Sequence, residues 1–396
     1  MKILVVTNLY PPQHIGGYEL GCRDVVEKLR VRGHVVRVLT GDFQNSGTEN
    51  PLEEKDVARV LRFIACADDA RHDKPAENAK LIRALEDFSP DIVYFWNQAG
   101  LCLWLPFTAH WHGARMAFYL SDANCISWRI AAWLSGAAQK NSAIKKLFGN
   151  TFLVRGWPVV ENRTCHFCSD FIRQTALKNG ITYAPKNSVV AHWGIELKNF
   201  SAAPRPPRPA KRILYAGQLI PQKGVHTAIA AVGMLAREKG CSEITFSIAG
   251  GGMHPDYEKE LHEMASRPGL AGKINFLGKV PRADLPGIYR DHDILVFPSE
   301  WDEPFAITPL EAIASGLAVA GTTTGGSSEL FRERETAMTF RAGDAADCAR
   351  AIRELCADEN LLQKISANAQ REVREKHTLD AMVDKIEASL LAEIKD

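Results

Sequence analysis

The stretch ILVFPSEWDEPFAITPLEAIASG, Ile294 to Gly316, is where the fold can first be read. Its first four residues are an apolar run following Asp291, His292 and Asp293, as expected of a strand buried on both faces of a parallel sheet. Pro298 and Pro304 end the run, and Thr308, Pro309 and Glu311 then form a Thr-x-x-Glu pattern with proline at the first helical position. That spacing predicts a helix start. Strand, loop and helix N-terminus in this order turn free backbone N–H groups and the positive end of a helix dipole toward the loop, an arrangement that suits an anion. Phe305, Ala306 and Ile307 would supply the amides. Two glutamates, Glu303 and Glu311, flank the turn. On local grounds Glu311 reads either as a capping-box carboxylate or as a ligand-binding one.

Working outward, the same alternation recurs. Upstream, Ile213–Ala216, Ile244–Ala249 and Ile274–Leu277 read as strands separated by helical periodicity, and Ala318–Ala320 follows downstream. The first half repeats the scheme, with strands expected at 3–6, 35–39, 57–64, 92–95, 116–120 and 189–191 and helices at 18–30, 76–88, 99–110 and 170–179. Alternation of this kind implies a doubly wound parallel sheet. Residues 201–212, SAAPRPPRPAKR, carry four prolines and no apolar periodicity, and read as a linker between two such domains, 1–200 and 213–378. A helical tail over about 379–396 closes the chain and is free to pack back on the first domain. Two sheets so joined are expected to face each other across a ligand-binding cleft.

Composition narrows the classes. The chain has 396 residues, 46% hydrophobic and 24% charged, with a net charge of +1, so global charge argues against a dedicated nucleic-acid binder. Nine cysteines show no framework spacing, which points to reduced thiols and a cytoplasmic protein. Cys165-His166-Phe167-Cys168 lacks a second pair, so a strand-to-helix turn is favoured over a zinc site. The N-terminal run MKILVVTN is short and reads as a strand rather than a signal peptide, and no run approaches the ~18 apolar residues of a membrane span.

Three glycine-bearing loops join the glutamates as site candidates. Gly16-Gly17 precedes a helix; Gly217 to Gly224 follows a strand and carries Lys223 as a point charge for phosphate; Gly250 to Gly252 is the third. None matches the dinucleotide or P-loop fingerprints, which weakens both of those readings.

Taken with Phe276-Leu277-Gly278, Phe297-Pro298-Ser299, Glu303-Pro304-Phe305, Glu311-Ala312 and Gly325-Gly326, these residues resemble glycosyltransferase family 4, a retaining family of the GT-B fold. The similarity spans nearly the whole chain, and the pair Glu303 and Glu311 is its most specific part. The resemblance implies a hexose-type sugar moved from a UDP-, GDP- or ADP-sugar to an acceptor hydroxyl. It implies that Glu303 bonds the donor sugar, that Glu311 bonds the ribose and that Lys223 neutralises the diphosphate. The amides of Phe305, Ala306 and Ile307, together with Gly16, Gly17, Gln218 and Gly251, would line the phosphates, and the base would lie near Val280. No metal or other cofactor is implied. Two positions depart from the family: Gln218 stands where arginine is usual, and Ser121 and Asp122 stand where histidine is usual, leaving these two as acceptor-side candidates. A nucleotide-sugar-binding protein with weakened catalysis, an epimerase and a phosphorylase are the alternatives. Residues 128–157 carry Arg129, Lys140, Lys145, Lys146 and Arg155 among aromatic residues and no acidic residue. Such a segment rests on an anionic membrane surface, forms a solvated face over a core, or serves as a carbohydrate platform. The expected partners are thus a nucleotide-sugar donor, a sugar, lipid-linked or small-molecule acceptor, and peripherally the inner membrane face, with no nucleic acid.

Overall fold

The computed structural model describes residues 1–42, 54–63, 75–98, 100–102, 104–122, 163–178, 188–200, 210–238, 240–241, 243–252 and 254–395. The apolar runs of the first half become β1 (Lys2–Thr7), β2 (Val35–Asp42), β3 (Val57–Arg62), β4 (Ile92–Phe95), β5 (Met116–Leu120), β6 (Thr164–Phe167) and β7 (Ser188–Val190), joined through α1 (Gly17–Val31), α2 (Pro75–Phe88), α3 (Leu105–Trp111) and α4 (Asp170–Lys178), with the short α5 (Leu197–Phe200) after β7. They pair in parallel in the order β3-β2-β1-β4-β5-β6-β7. Burial follows position in the sheet. The central strands β4 and β5 are buried at every residue, whereas β3 at the edge alternates, because helices cover both faces of the middle of a parallel sheet but not its rim.

The second half repeats the design with β8 (Arg212–Ala216), β9 (Thr245–Ala249), β10 (Ile274–Gly278), β11 (Ile294–Phe297), β12 (Ala318–Gly321) and β13 (Met338–Thr339). These form a parallel sheet ordered β10-β9-β8-β11-β12-β13. Its helices are α6 (Val225–Leu235), α7 (Pro255–Ala265), α8 (Leu285–Arg290), α9 (Ile307–Ala314), α10 (Ala345–Ala357) and α11 (Glu359–Lys376). One apolar cluster, including Ile213, Phe246, Val296, Ala320, Ile352 and Ile365, fills the space between this sheet and its helices.

By contacts the chain divides into Met1–His192 with Asp380–Asp396, and Trp193–Leu379. The last helix, α12 (Leu379–Lys395), is tied to the first unit by ion pairs of Lys28 with Asp380 at 2.8 Å and of Arg32 with Glu387 at 2.6 Å. Of the proline-rich stretch 201–212, only residues from Ala210 onward are described, and Arg212 already opens β8. The basic segment 128–157 lies outside the described residues, among which no helix is long and apolar enough to cross a membrane.

Two local readings change. Cys165, His166 and Phe167 are part of a buried strand rather than a turn, and the turn is confined to Cys168 and Ser169 ahead of α4. The two-residue β13 was not foreseen, since so short a run carries no period. His166 is fully buried, with Tyr94 Oη 3.0 Å from its Nδ1. Burial pushes its pKa down to about 3, against a smaller opposing effect of a hydrogen bond with the Phe118 backbone. An unfolded histidine titrates near ~6.5, so the stability held by the neutral ring is complete above that pH and is lost as pH falls toward the folded value. Between pH 7 and pH 5 this group is expected to withdraw ~2 kcal/mol from the first unit. Urea unfolding at the two pH values checks it: His166→Gln should remove that increment, and an equal loss in variant and wild type would contradict the assignment.

Candidate active site

Within the second sheet the chain runs outward from β8 through β9 to β10, then returns to lay β11 on the other side of β8. The connections leaving β8 and β11 therefore diverge, opening a crevice at the carboxyl ends of the strands, the usual ligand position in such sheets. Two of the side chains singled out in the sequence meet there. Lys223 ends the short 3-10 turn Pro221–Lys223 after β8, and its Nζ lies 2.6 Å from Oε1 of Glu303 in the loop after β11. The glutamate side chain is only 5% exposed and the lysine 24% exposed. A carboxylate so withdrawn from water stays charged at reasonable cost only when paired and hydrogen-bonded. Ser299 Oγ supplies a second bond at 2.7 Å to the same oxygen.

The backbone of Glu303 is also held. Gly326 donates its N–H to the Glu303 carbonyl at 2.6 Å. Gly325, at φ 56°, sits so close that a Cβ there would lie 2.4 Å from that carbonyl oxygen. The glycine pair thus permits a backbone approach that no side chain would allow. Thr322 Oγ1, after β12, donates to Ser299 O at 2.7 Å and ties down the other end of the loop.

Glu311 stands elsewhere, and of the two local readings the capping one does not hold. Helix α9 begins at Ile307 with Ala306 as an extended N-cap and no side-chain cap, so Pro309 is the third helical residue and Glu311 the fifth. The proline fits there because the first-turn N–H groups have no intrahelical partner in any case. Those of Ala306, Ile307 and Thr308 remain as donors at the helix start. Glu311 is buried, accepts from Tyr289 Oη at 3.0 Å and lies 3.8 Å from Arg282 Nε. Burial, and next the neighbouring Glu311 charge, hold the Tyr289 hydroxyl well above its usual pKa, so it remains a donor.

Gln218 is exposed after β8, its carbonyl accepting from Tyr215 Oη at 2.7 Å. Gly251, after β9, accepts from Leu219 N at 3.3 Å, and Val280 follows β10. Gln218, Gly251 and Val280 therefore belong to loops at the same strand ends as Lys223 and Glu303. In the first unit, Gly16 and Gly17 open α1 after β1, while Ser121, buried, and Asp122 follow β5. Here a residue that the sequence reading missed appears. Glu19 is buried and accepts from Gly16 N at 2.9 Å, with Asn8 Nδ2 at 3.5 Å, and burial raises its pKa. The signal was present as a Gly-x-x-Glu capping spacing. Among the described residues no group of three or more His, Cys, Asp or Glu is placed to hold a metal ion.

The chain's overall path resembles solved GT-B enzymes. A glycosyltransferase from Rickettsia africae superposes with a TM-score of 0.76 at 20% identity, over 100% of this chain and 99% of that one. Anabaena Alr3699/HepE in complex with UDP gives 0.75 at 20% identity, over 99% and 100%. The fold is therefore GT-B, two Rossmann-like parallel-sheet domains. Residues 198–372 match the family model for glycosyl transferases group 1. The chain is 28% identical over 398 residues to a glycogen synthase of Mycobacterium tuberculosis, covering 94% of this chain and 90% of the relative. It is 24% identical over 363 residues to a D-inositol 3-phosphate glycosyltransferase of Corynebacterium jeikeium, covering 87% and 84%. With this domain and these relatives, the chain is a transferase enzyme of the glycosyltransferase kind.

Proposed function

We propose that this enzyme moves a hexose-type sugar from a nucleotide-diphospho-sugar to an acceptor hydroxyl with retention of configuration, in polysaccharide, glycolipid or natural-product assembly. The observation that carries the reading is the Lys223–Glu303 pair at the switch point of the second sheet, beside the start of α9. A lysine ammonium has three donors, so Lys223 keeps Glu303 while offering a proton to the diphosphate. Glu303, with its second oxygen, accepts from hydroxyls of the sugar, and the amides at the start of α9 meet the phosphates. Glu311 receives the ribose. In this scheme the acceptor oxygen bonds to the anomeric carbon on the face from which the diphosphate leaves, and the departing phosphate oxygen takes the acceptor proton. No protein base or metal enters. The UDP bound in the Anabaena relative supports a uridine donor, with GDP- and ADP-sugars as further candidates. The second unit would hold the donor, and the first the acceptor through Ser121 and Asp122.

Thermal shift against UDP, GDP, ADP and their glucose or mannose esters tests the donor. A nucleotide at 100 times its dissociation constant should stabilise the protein by ~2.7 kcal/mol, and the matching sugar nucleotide should release its diphosphate on incubation with acceptor. Tight binding with no release would favour a binding protein without turnover, a reading to which Gln218 in place of arginine lends its weight. No shift with any of them would overturn the donor assignment.

A further inference from the structure

We propose that His226 is a positioning residue for the donor site: its ring, locked by Tyr257, sets Nε2 against Glu300 and so fixes the loop Pro298–Glu303 that presents Glu303. The inference rests on the reading of Glu303 as the sugar-contacting group. His226 is the second residue of α6, which begins directly after Lys223 and Gly224. Its Nδ1 is 2.8 Å from Tyr257 Oη, and its backbone N–H donates to the same oxygen at 3.3 Å. The hydroxyl oxygen thus accepts from the His226 backbone, and its own proton is available to Nδ1. Burial pushes the Tyr257 pKa up to about 12, so that proton is retained. The other ring nitrogen, Nε2, faces Glu300 Oε1 at 3.3 Å, so the ring is pinned between Tyr257 and that carboxylate.

Glu300 is the fulcrum. The same Oε1 accepts from Thr227 Oγ1 at 2.8 Å, and Glu300 N donates to Gln222 O at 2.9 Å. The carboxylate therefore sits against the first turn of α6, where the helix dipole favours it. Its neighbour Ser299 is the residue that bonds Glu303. A continuous set of contacts runs from Tyr257 on α7, through His226 and Glu300, to the loop carrying Glu303. None of it was visible in the sequence, because Tyr257, His226 and Glu300 come from three separate βα units.

Two variants separate the halves of the ring. His226→Gln places an amide nitrogen near the position of Nε2 and keeps a polar contact with Glu300; His226→Asn reaches only as far as Nδ1 and loses it. The backbone amide resonances of Ser299 to Glu303, recorded without ligand, should move in His226→Asn and stay near wild type in His226→Gln. Affinity for UDP-glucose should fall about tenfold in His226→Asn, the scale of one lost polar contact with a charged group, while UDP alone binds within about twofold of wild type on the same arithmetic. His226→Gln should restore both. Unmoved resonances in both variants, or equal losses in both, would overturn the positioning role. If instead Glu303→Ala binds UDP-glucose as wild type does, the donor reading has failed, and the resonances still decide the role of His226.

Discussion

Replacing Glu303 by alanine is expected to lower sugar transfer by about two to three orders of magnitude, the usual scale for loss of one preorganised electrostatic contact at a reacting centre, while the fold survives. The carboxylate is nearly buried and directs its charge to Lys223 and Ser299, an arrangement that costs desolvation. Removing it leaves no stranded charge. Lys223 is exposed enough to find water, and the serine hydroxyl can turn to the Gln222 carbonyl 3.4 Å away or the Trp301 carbonyl at the same distance. Stability should therefore change by no more than ~1–2 kcal/mol. The check is initial-rate release of nucleotide diphosphate by wild type and variant, using the sugar nucleotide that stabilises the wild type, with urea unfolding beside it. Turnover like that of the wild type would remove Glu303 from the chemistry.

Gly224→Ala should damage the second unit through a single methyl. The residue sits at φ 65°, in the left-handed region, between Lys223 and the first residue of α6. An alanine there costs ~1–2 kcal/mol for the backbone alone. The added Cβ would also fall 2.0 Å from the Pro298 carbonyl oxygen and 3.0 Å from its carbon. Backbone cannot step aside as a flexible side chain can, so α6 and the Pro298–Glu303 loop must separate, and overpacking of this kind adds ~1–3 kcal/mol. A total near ~3 kcal/mol, with donor affinity reduced more than about tenfold because Lys223 and Glu303 move apart, is the expected result. Urea unfolding and nucleotide titration read the two effects separately. A loss under ~1 kcal/mol with unchanged affinity would show that the contact between these loops is unimportant.

Much of this was legible from residue order. Apolar runs such as Ile294–Phe297 and Met116–Leu120 became strands with the bounds anticipated, because a strand buried on both faces admits little but hydrophobic residues and is closed by proline or polar neighbours. Their alternation with helical periodicity was enough for two parallel sheets. The glycine and glutamate positions then pointed to the loops at the strand ends. Less legible were features set by partners distant in the chain. Glu311 fitted a local capping pattern, yet Tyr289 and Arg282 claimed it once the apolar face of α9 had fixed the helix two residues earlier. Cys165 to Phe167 showed too short a run to announce β6, and only pairing with β5 and β7 made it a strand.

The sequence by itself determined the alternation of strands and helices, and which loops carry the polar and glycine residues, since each depends on periodicity and turn chemistry within a few positions of the chain. Only the tertiary structure decided that Lys223 and Glu303, 80 residues apart, share one hydrogen bond. That meeting follows from strand order: β8 and β11 lie side by side, about 4.8 Å apart as neighbours in a sheet, so the loops leaving them start within side-chain reach of each other before they diverge.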